Sequence, residues 1–145
     1  MPTEIMLSAE ASASYRATPA QVWALVGQFG SLAWHPAVAS TVLAPDLQRT
    51  VTTRDGAVLV EALLAFDDAA RSLRYRIIDS PLPVVGYVST LSVAADNGGA
   101  RVSWRSEFQR KPGLALSDAE VCAPVVGIYR AGLDGLRVAL GEAAG

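Results

Sequence analysis

Few side chains in this sequence could do chemistry, and they are scattered. One histidine, His35, lies between Trp34 and Pro36, and one cysteine, Cys122, has no basic neighbour in sequence. A single thiol forms no intramolecular disulfide and no multi-thiolate metal site. A single imidazole excludes paired-histidine zinc motifs, so neither a metal nor a cofactor is expected. A thiol nucleophile would need a base beside it, and Cys122 has none nearby. There is no G-x-S-x-G elbow and no glycine-rich phosphate loop; Gly98-Gly99 reads as a hairpin turn. Glu61 interrupts an otherwise apolar run, Val58–Phe66. Were the protein an enzyme, Glu61, His35 and Tyr87 would be the candidate acid and base groups.

A second group is defined by strand alternation, which sends successive side chains to opposite faces. Val102, Trp104, Ser106 and Phe108 share one face of a late strand, against Arg101, Ser103, Arg105 and Glu107 on the other. Tyr75 and Ile77 oppose Arg74 and Arg76, and Tyr87, Ser89, Leu91 and Val93 share a face. The inward set is apolar with isolated hydroxyls from Tyr75, Tyr87, Ser89 and Ser106. That is the usual makeup of a small-molecule pocket, and equally of a solid core whose hydroxyls bond to backbone. For Glu61 the same rule points outward: Val58, Val60, Ala62, Leu64 and Phe66 are apolar, so simple patterning buries them and leaves Glu61 in water.

These residues are positioned by elements that the sequence marks clearly. A strand is expected over Ile5–Arg16. Thr18, Pro19 and Gln21 form a T-P-x-Q helix start, followed by an apolar face at Val22, Leu25, Val26 and Phe29, with Gly30 as the stop. Ser31 can cap a second short helix, Ser31–Trp34, halted by Pro36. Strands are then expected at Ala39–Leu43, Leu47–Thr53, Val58–Phe66, Leu73–Ile78, Val85–Ala95 and Arg101–Arg110. Their connections are short, which requires antiparallel pairing. Ser117 and Glu120 open a long last helix reaching Leu140, with Tyr129, Leu133, Leu136 and Leu140 at helical spacing and Pro124 expected to kink its first turns. Gly127, Gly132 and Gly135 are costly inside a helix and suggest either close approach to another surface or space left open. The result is an α+β chain, residues 1–145 as one domain, with a seven-stranded antiparallel sheet wrapped around the C-terminal helix. A cavity between sheet and helix would be lined by Tyr75, Tyr87, Trp104 and Phe108, with Val125 and Tyr129 from the helix.

Composition agrees. The 145 residues are 51% hydrophobic and 18% charged, which excludes intrinsic disorder. Net charge is −2, eleven of the twelve basic residues are Arg, and none form a run of three. No basic stripe for nucleic acid is present. The longest uncharged stretch, Ala17–Pro45, is broken by Pro, Gln and His and is no membrane span. No secretory signal is evident, so the cytoplasm is the expected location; a homodimer is compatible with these features.

Several segments in order resemble the START-like, or SRPBCC, superfamily. They are A-T-P-A-Q-V-W (Ala17–Trp23), W-H-P (Trp34–Pro36), V-E-A-L-L-A-F-D-D (Val60–Asp68) and Tyr75-Arg76-Ile77. P-L-P-V-V-G-Y (Pro81–Tyr87), Val102-Ser103-Trp104 and V-G-I-Y-R-A-G-L (Val126–Leu133) follow. Within it the chain is most similar to the polyketide cyclase/dehydrase branch, with MxaD-like and plant abscisic-acid-receptor-like proteins. The resemblance spans about Ala11 to Leu140. It implies the helix-grip fold and an internal cavity for a hydrophobic or amphipathic molecule, a lipid among them; a cyclase/dehydratase activity in that cavity and a ligand-free interaction module are the alternatives. In the plant receptors a strand Glu, a Tyr and a Ser form a water-linked polar cluster. By motif Glu61, Tyr87 and Ser89 occupy those places. The 14-residue interval from Glu61 to Tyr75 also fits the family, which turns Glu61 inward as the lone carboxylate among apolar walls, with Tyr87 and Ser89 as its expected partners. Two features depart from the receptors: Ala39 stands where their ligand-pairing Lys falls, and Thr53–Ala57 is too short for their gate loop. The Pro81–Val84 loop is expected to border the cavity mouth.

Overall fold

The computed structural model describes residues 6–142. The chain runs β1 (Leu7–Tyr15), α1 (Pro19–Val26), β2 (Val38–Leu43), β3 (Gln48–Thr53), β4 (Val58–Asp67), β5 (Ser72–Asp79), β6 (Val84–Asp96), β7 (Gly99–Arg110) and α2 (Asp118–Ala139). The seven strands form one antiparallel sheet in the order β1-β7-β6-β5-β4-β3-β2. Ile5, the expected start of β1, lies outside the described residues.

Local chemistry explains the boundaries. Thr18 Oγ1 accepts from Gln21 N at 3.2 Å and Gln21 Oε1 accepts from Thr18 N at 2.9 Å. Ser117 and Glu120 repeat this reciprocal cap at 3.1 and 3.0 Å. Each box satisfies two backbone donors that a helix start leaves orphaned. β6 and β7 turn at Asn97-Gly98, both with positive φ, the backbone that a two-residue hairpin requires. α2 runs from Asp118 to Ala139 through Pro124.

The expected second helix at Ser31–Trp34 is not formed. Gly30 to Ala37 makes turns instead, with His35 N bonded to Leu32 O at 2.9 Å and Val38 N to His35 O at 3.2 Å. Pro36 follows too soon for a helical ladder to propagate. This W-H-P turn lies under α2: Trp34 contacts Trp104 with ring centroids 5.8 Å apart, and Trp104 stacks on Tyr129 at 4.4 Å. Two of the three α2 glycines serve that contact. A Cβ at Gly132 would stand 2.8 Å from both His35 Cδ2 and Trp104 Cζ3, and one at Gly135 would stand 2.3 Å from Trp34 O. Nothing approaches Gly127 within 4 Å.

Strand β4 departs from simple patterning. Its pairing with β5 shifts twice, between Val60 and Glu61 and between Leu63 and Ala65. Between the shifts Glu61 faces Ile77 and Leu63 faces Tyr75, so the odd residues point inward. Val58 and Leu64 are exposed on the outer face, and Phe66, beyond the second shift, packs on Trp23 at 5.6 Å. A shift of one residue exchanges the two faces of a strand, so the extra residue at Leu64 brings a carboxylate into the core.

Candidate functional site

Glu61 is buried, and directly across the inner face of the sheet its neighbour on β3 is Arg49, equally buried. Arg49 Nε donates to Glu61 Oε1 at 2.8 Å and its Nη1 donates to the carbonyl of Phe29 at 2.9 Å. The guanidinium is held 4.0 Å from the Phe29 ring centroid and 4.9 Å from that of Tyr75. An Arg so placed is fixed by two hydrogen bonds and by two aromatic rings that meet it in a corner, their centroids 6.1 Å apart. The charge partner of Glu61 is therefore Arg49, not Tyr87 or Ser89. Those two belong to a different network: β5 lies between β6 and β4 in the sheet, and their hydroxyls meet Tyr129 on α2. Arg49 was legible: it alternates with Val51 on one face of Leu47–Thr53, so a buried Val51 brings Arg49 inward too.

The hydroxyl network has a direction. Ser89 Oγ donates to Arg105 O at 3.0 Å, so it accepts from Tyr129 at 3.2 Å and from Trp104 Nε1 at 3.1 Å. Tyr129, having given its proton to Ser89, accepts the proton of Tyr87. Trp104 Nε1 is shared with the Tyr75 hydroxyl at 3.1 Å. Burial raises the pKa of Tyr75, Tyr87 and Tyr129 above the ordinary value, as desolvation disfavours each phenolate. All three stay neutral at physiological pH. Phe108 stacks on Tyr87 at 5.9 Å. Ser106 Oγ is buried next to Tyr129 but outside hydrogen-bond geometry.

His35 is buried and both ring nitrogens are engaged. Nδ1 accepts from Ala37 N at 3.1 Å, which fixes the proton on Nε2, 2.8 Å from Ile128 O. Burial lowers its pKa, outweighing the opposite effect of the Ile128 carbonyl. The unfolded chain therefore takes up the proton first as pH falls. Stability is complete above the ordinary histidine value of about 6.5 and declines as pH drops from there toward the lowered folded value. Urea midpoints measured from pH 8 to 5 should fall over that interval, and His35→Gln should flatten the decline, since no other histidine is present. An unchanged slope in the variant would remove His35 as its source.

Between sheet and α2 lies a cavity of about 80 Å³. Glu61, Tyr75, Tyr87, Trp104, Val125 and His35 line it. Ser89, Ser106, Phe108 and Tyr129 stand behind that wall instead, the first and last occupied by the hydroxyl network. Arg49, Leu82 and Ile128 join the lining, Leu82 from the loop expected at the mouth. The half-buried side chains of Val38, Leu59, Leu82 and Ile128 ring it. A larger hollow of about 600 Å³ lies outside, at the β6–β7 turn. Its acids are already engaged, Asp96 by Ser14 and Glu142 by Arg16 and Arg137.

The sequence matches, over residues 6–141, the profile of the family described as polyketide cyclase / dehydrase and lipid transport. The chain belongs to that family. Solved structures agree with the assignment. This family member is similar to the protein XoxI from Bacillus cereus, with 32% identity over 92% of this chain and 94% of that one, at a TM-score of 0.86. It is equally similar to an uncharacterised protein from Bacillus thuringiensis, with 33% identity over 91% and 97% of the two chains and a TM-score of 0.84. Ara h 8.0201, at 16% identity, 96% and 100% coverage and a TM-score of 0.75, shares the fold alone. No curated protein matches the sequence. Among the described residues of this polyketide cyclase/dehydrase-family chain, no helix is long and apolar enough to cross a membrane.

Proposed function

We propose that the protein binds a small hydrophobic or amphipathic molecule in the cavity between the sheet and α2, as a cytoplasmic carrier. The observation that carries this reading is a wall of Leu59, Ile77, Leu82, Val125 and Ile128 interrupted by one buried ion pair. An apolar lining with few, well-placed polar groups suits a ligand site. About 80 Å³ is below the ~300 Å³ at which drug-sized pockets begin, so the ligand is small or spreads the half-buried ring at the mouth. Acid–base turnover is less well supported. His35 has no free nitrogen, and Tyr87 is too weak an acid to ionise near neutrality.

Cyclopentane titrated into isotope-labelled protein should give saturable shifts at the amides of Val38, Leu82 and Ile128. At a hundredfold excess over Kd it should stabilise the fold by about 2.7 kcal/mol. Absence of saturable shifts for cyclopentane and for smaller apolar gases would leave a packed core and favour the interaction-module alternative.

A further inference from the structure

Resting on that reading, we propose that the polar end of the cavity selects a neutral ligand group with an acceptor and a donor side by side on one edge, a primary amide or lactam, rather than a carboxylate or an amine. Two observations meet here. The first is charge. Among the described residues, Arg49 and Glu61 are the only charged ones lining the cavity, and they neutralise each other at 2.8 Å. His35, also on the wall, is kept neutral by burial and by Nδ1 accepting from Ala37 N. An anion brought to Arg49 meets the Glu61 carboxylate at the same place, and a cation brought to Glu61 meets the guanidinium. Either would leave a net charge beside two buried side chains, where an uncompensated charge is poorly tolerated.

The second is hydrogen-bond capacity. Arg49 gives Nε to Glu61 and Nη1 to Phe29 O. Among the described residues its Nη2 and the second oxygen of Glu61, Oε2, make no hydrogen bond. Nη2 only donates and Oε2 only accepts. A ligand carbonyl can accept from the first while an adjacent N–H donates to the second, both charge-assisted. Because the Phe29 and Tyr75 rings and two hydrogen bonds already hold the guanidinium, little ordering is left for binding to accomplish. Most of the rest of the wall is apolar and suits a hydrocarbon body on the same ligand.

Four probes of similar size separate the possibilities on the wild-type protein: 2-pyrrolidinone, cyclopentanone, cyclopentane and propionate, each followed by amide shifts. Cyclopentanone differs from the lactam by one CH2 in place of N–H. The lactam is expected to bind at least ~10-fold more tightly than the ketone, the scale of a hydrogen bond to a charged group, and propionate should not saturate. In the double variant Arg49→Met/Glu61→Leu the lactam should lose its advantage over the ketone while cyclopentane still binds. If cyclopentane saturates the wild type but the ketone equals the lactam, or propionate binds most tightly, the selection proposed here is wrong and the cavity reading stands. If no probe saturates, both fall.

Discussion

Arg49→Met is expected to destabilise the fold by about 3–5 kcal/mol, the cost of leaving a buried charge without its partner. The substitution keeps the length of the apolar stem but removes three things at once. Glu61 loses the Nε hydrogen bond, the Phe29 carbonyl loses Nη1, and the Phe29 and Tyr75 rings lose the cation they both touch. Glu61→Leu alone should cost a similar amount for the mirror reason, since the guanidinium then lacks a counter-charge. The double variant is expected to recover most of the loss. Exchanging a whole buried ion pair for well-packed apolar side chains is often neutral or stabilising, because the desolvation of both ions is relieved together. A double-variant cycle on urea midpoints reads the coupling directly. If the two single losses simply add in the double variant, Arg49 and Glu61 do not function as a pair. The reason to keep so costly a pair in the core would then have to be sought elsewhere than in the cavity.

How far the sequence reaches is clearest where one residue type does one job. The Thr18–Gln21 and Ser117–Glu120 boxes announce the helix starts, and Asn97-Gly98 announces the β6–β7 turn; the structure has each at that place. Short connections force antiparallel pairing, and all seven strands follow. The candidate site was less legible because it depends on register. Whether Glu61 is inside turns on a one-residue shift at Leu64 in the β4–β5 ladder, and no residue type in Val58–Phe66 marks it. Alternation alone buries the even residues and exposes Glu61, the reverse of what forms. The family's spacing favoured the inward direction without naming the partner. Ser89 and Tyr129 show a different limit. Their inward direction was readable, but alternation does not say whether an inward hydroxyl faces a cavity or another hydroxyl.

The α2 glycines separate packing from propensity, and Gly135→Ala and Gly127→Ala should move stability in opposite directions. Within a helix either change gains about 1 kcal/mol of intrinsic propensity. At Gly127 nothing stands within 4 Å of the new methyl, so the whole gain should appear, about 1 kcal/mol. At Gly135 the methyl would lie 2.3 Å from the Trp34 carbonyl oxygen and 2.5 Å from Pro36 Cδ. A backbone carbonyl and a proline ring have no rotamer through which to yield, so the helix itself must lift from the W-H-P turn. Overpacking of this kind typically costs 1–3 kcal/mol and sometimes more; with rigid obstacles the net loss expected is about 2 kcal/mol. Thermal or urea unfolding of the two variants beside the wild type reads the signs. The consequence for the cavity follows from the same geometry. Val125 and Ile128 line it from α2, and His35 is tied to Ile128 O by its Nε2 proton. Lifting the helix at Gly135 pulls on that bond and alters the wall, so cyclopentane binding should weaken in Gly135→Ala and stay unchanged in Gly127→Ala. Equal and stabilising effects at both positions would mean that α2 is not seated against Trp34 and Pro36, and the cavity wall it provides would have to be placed differently.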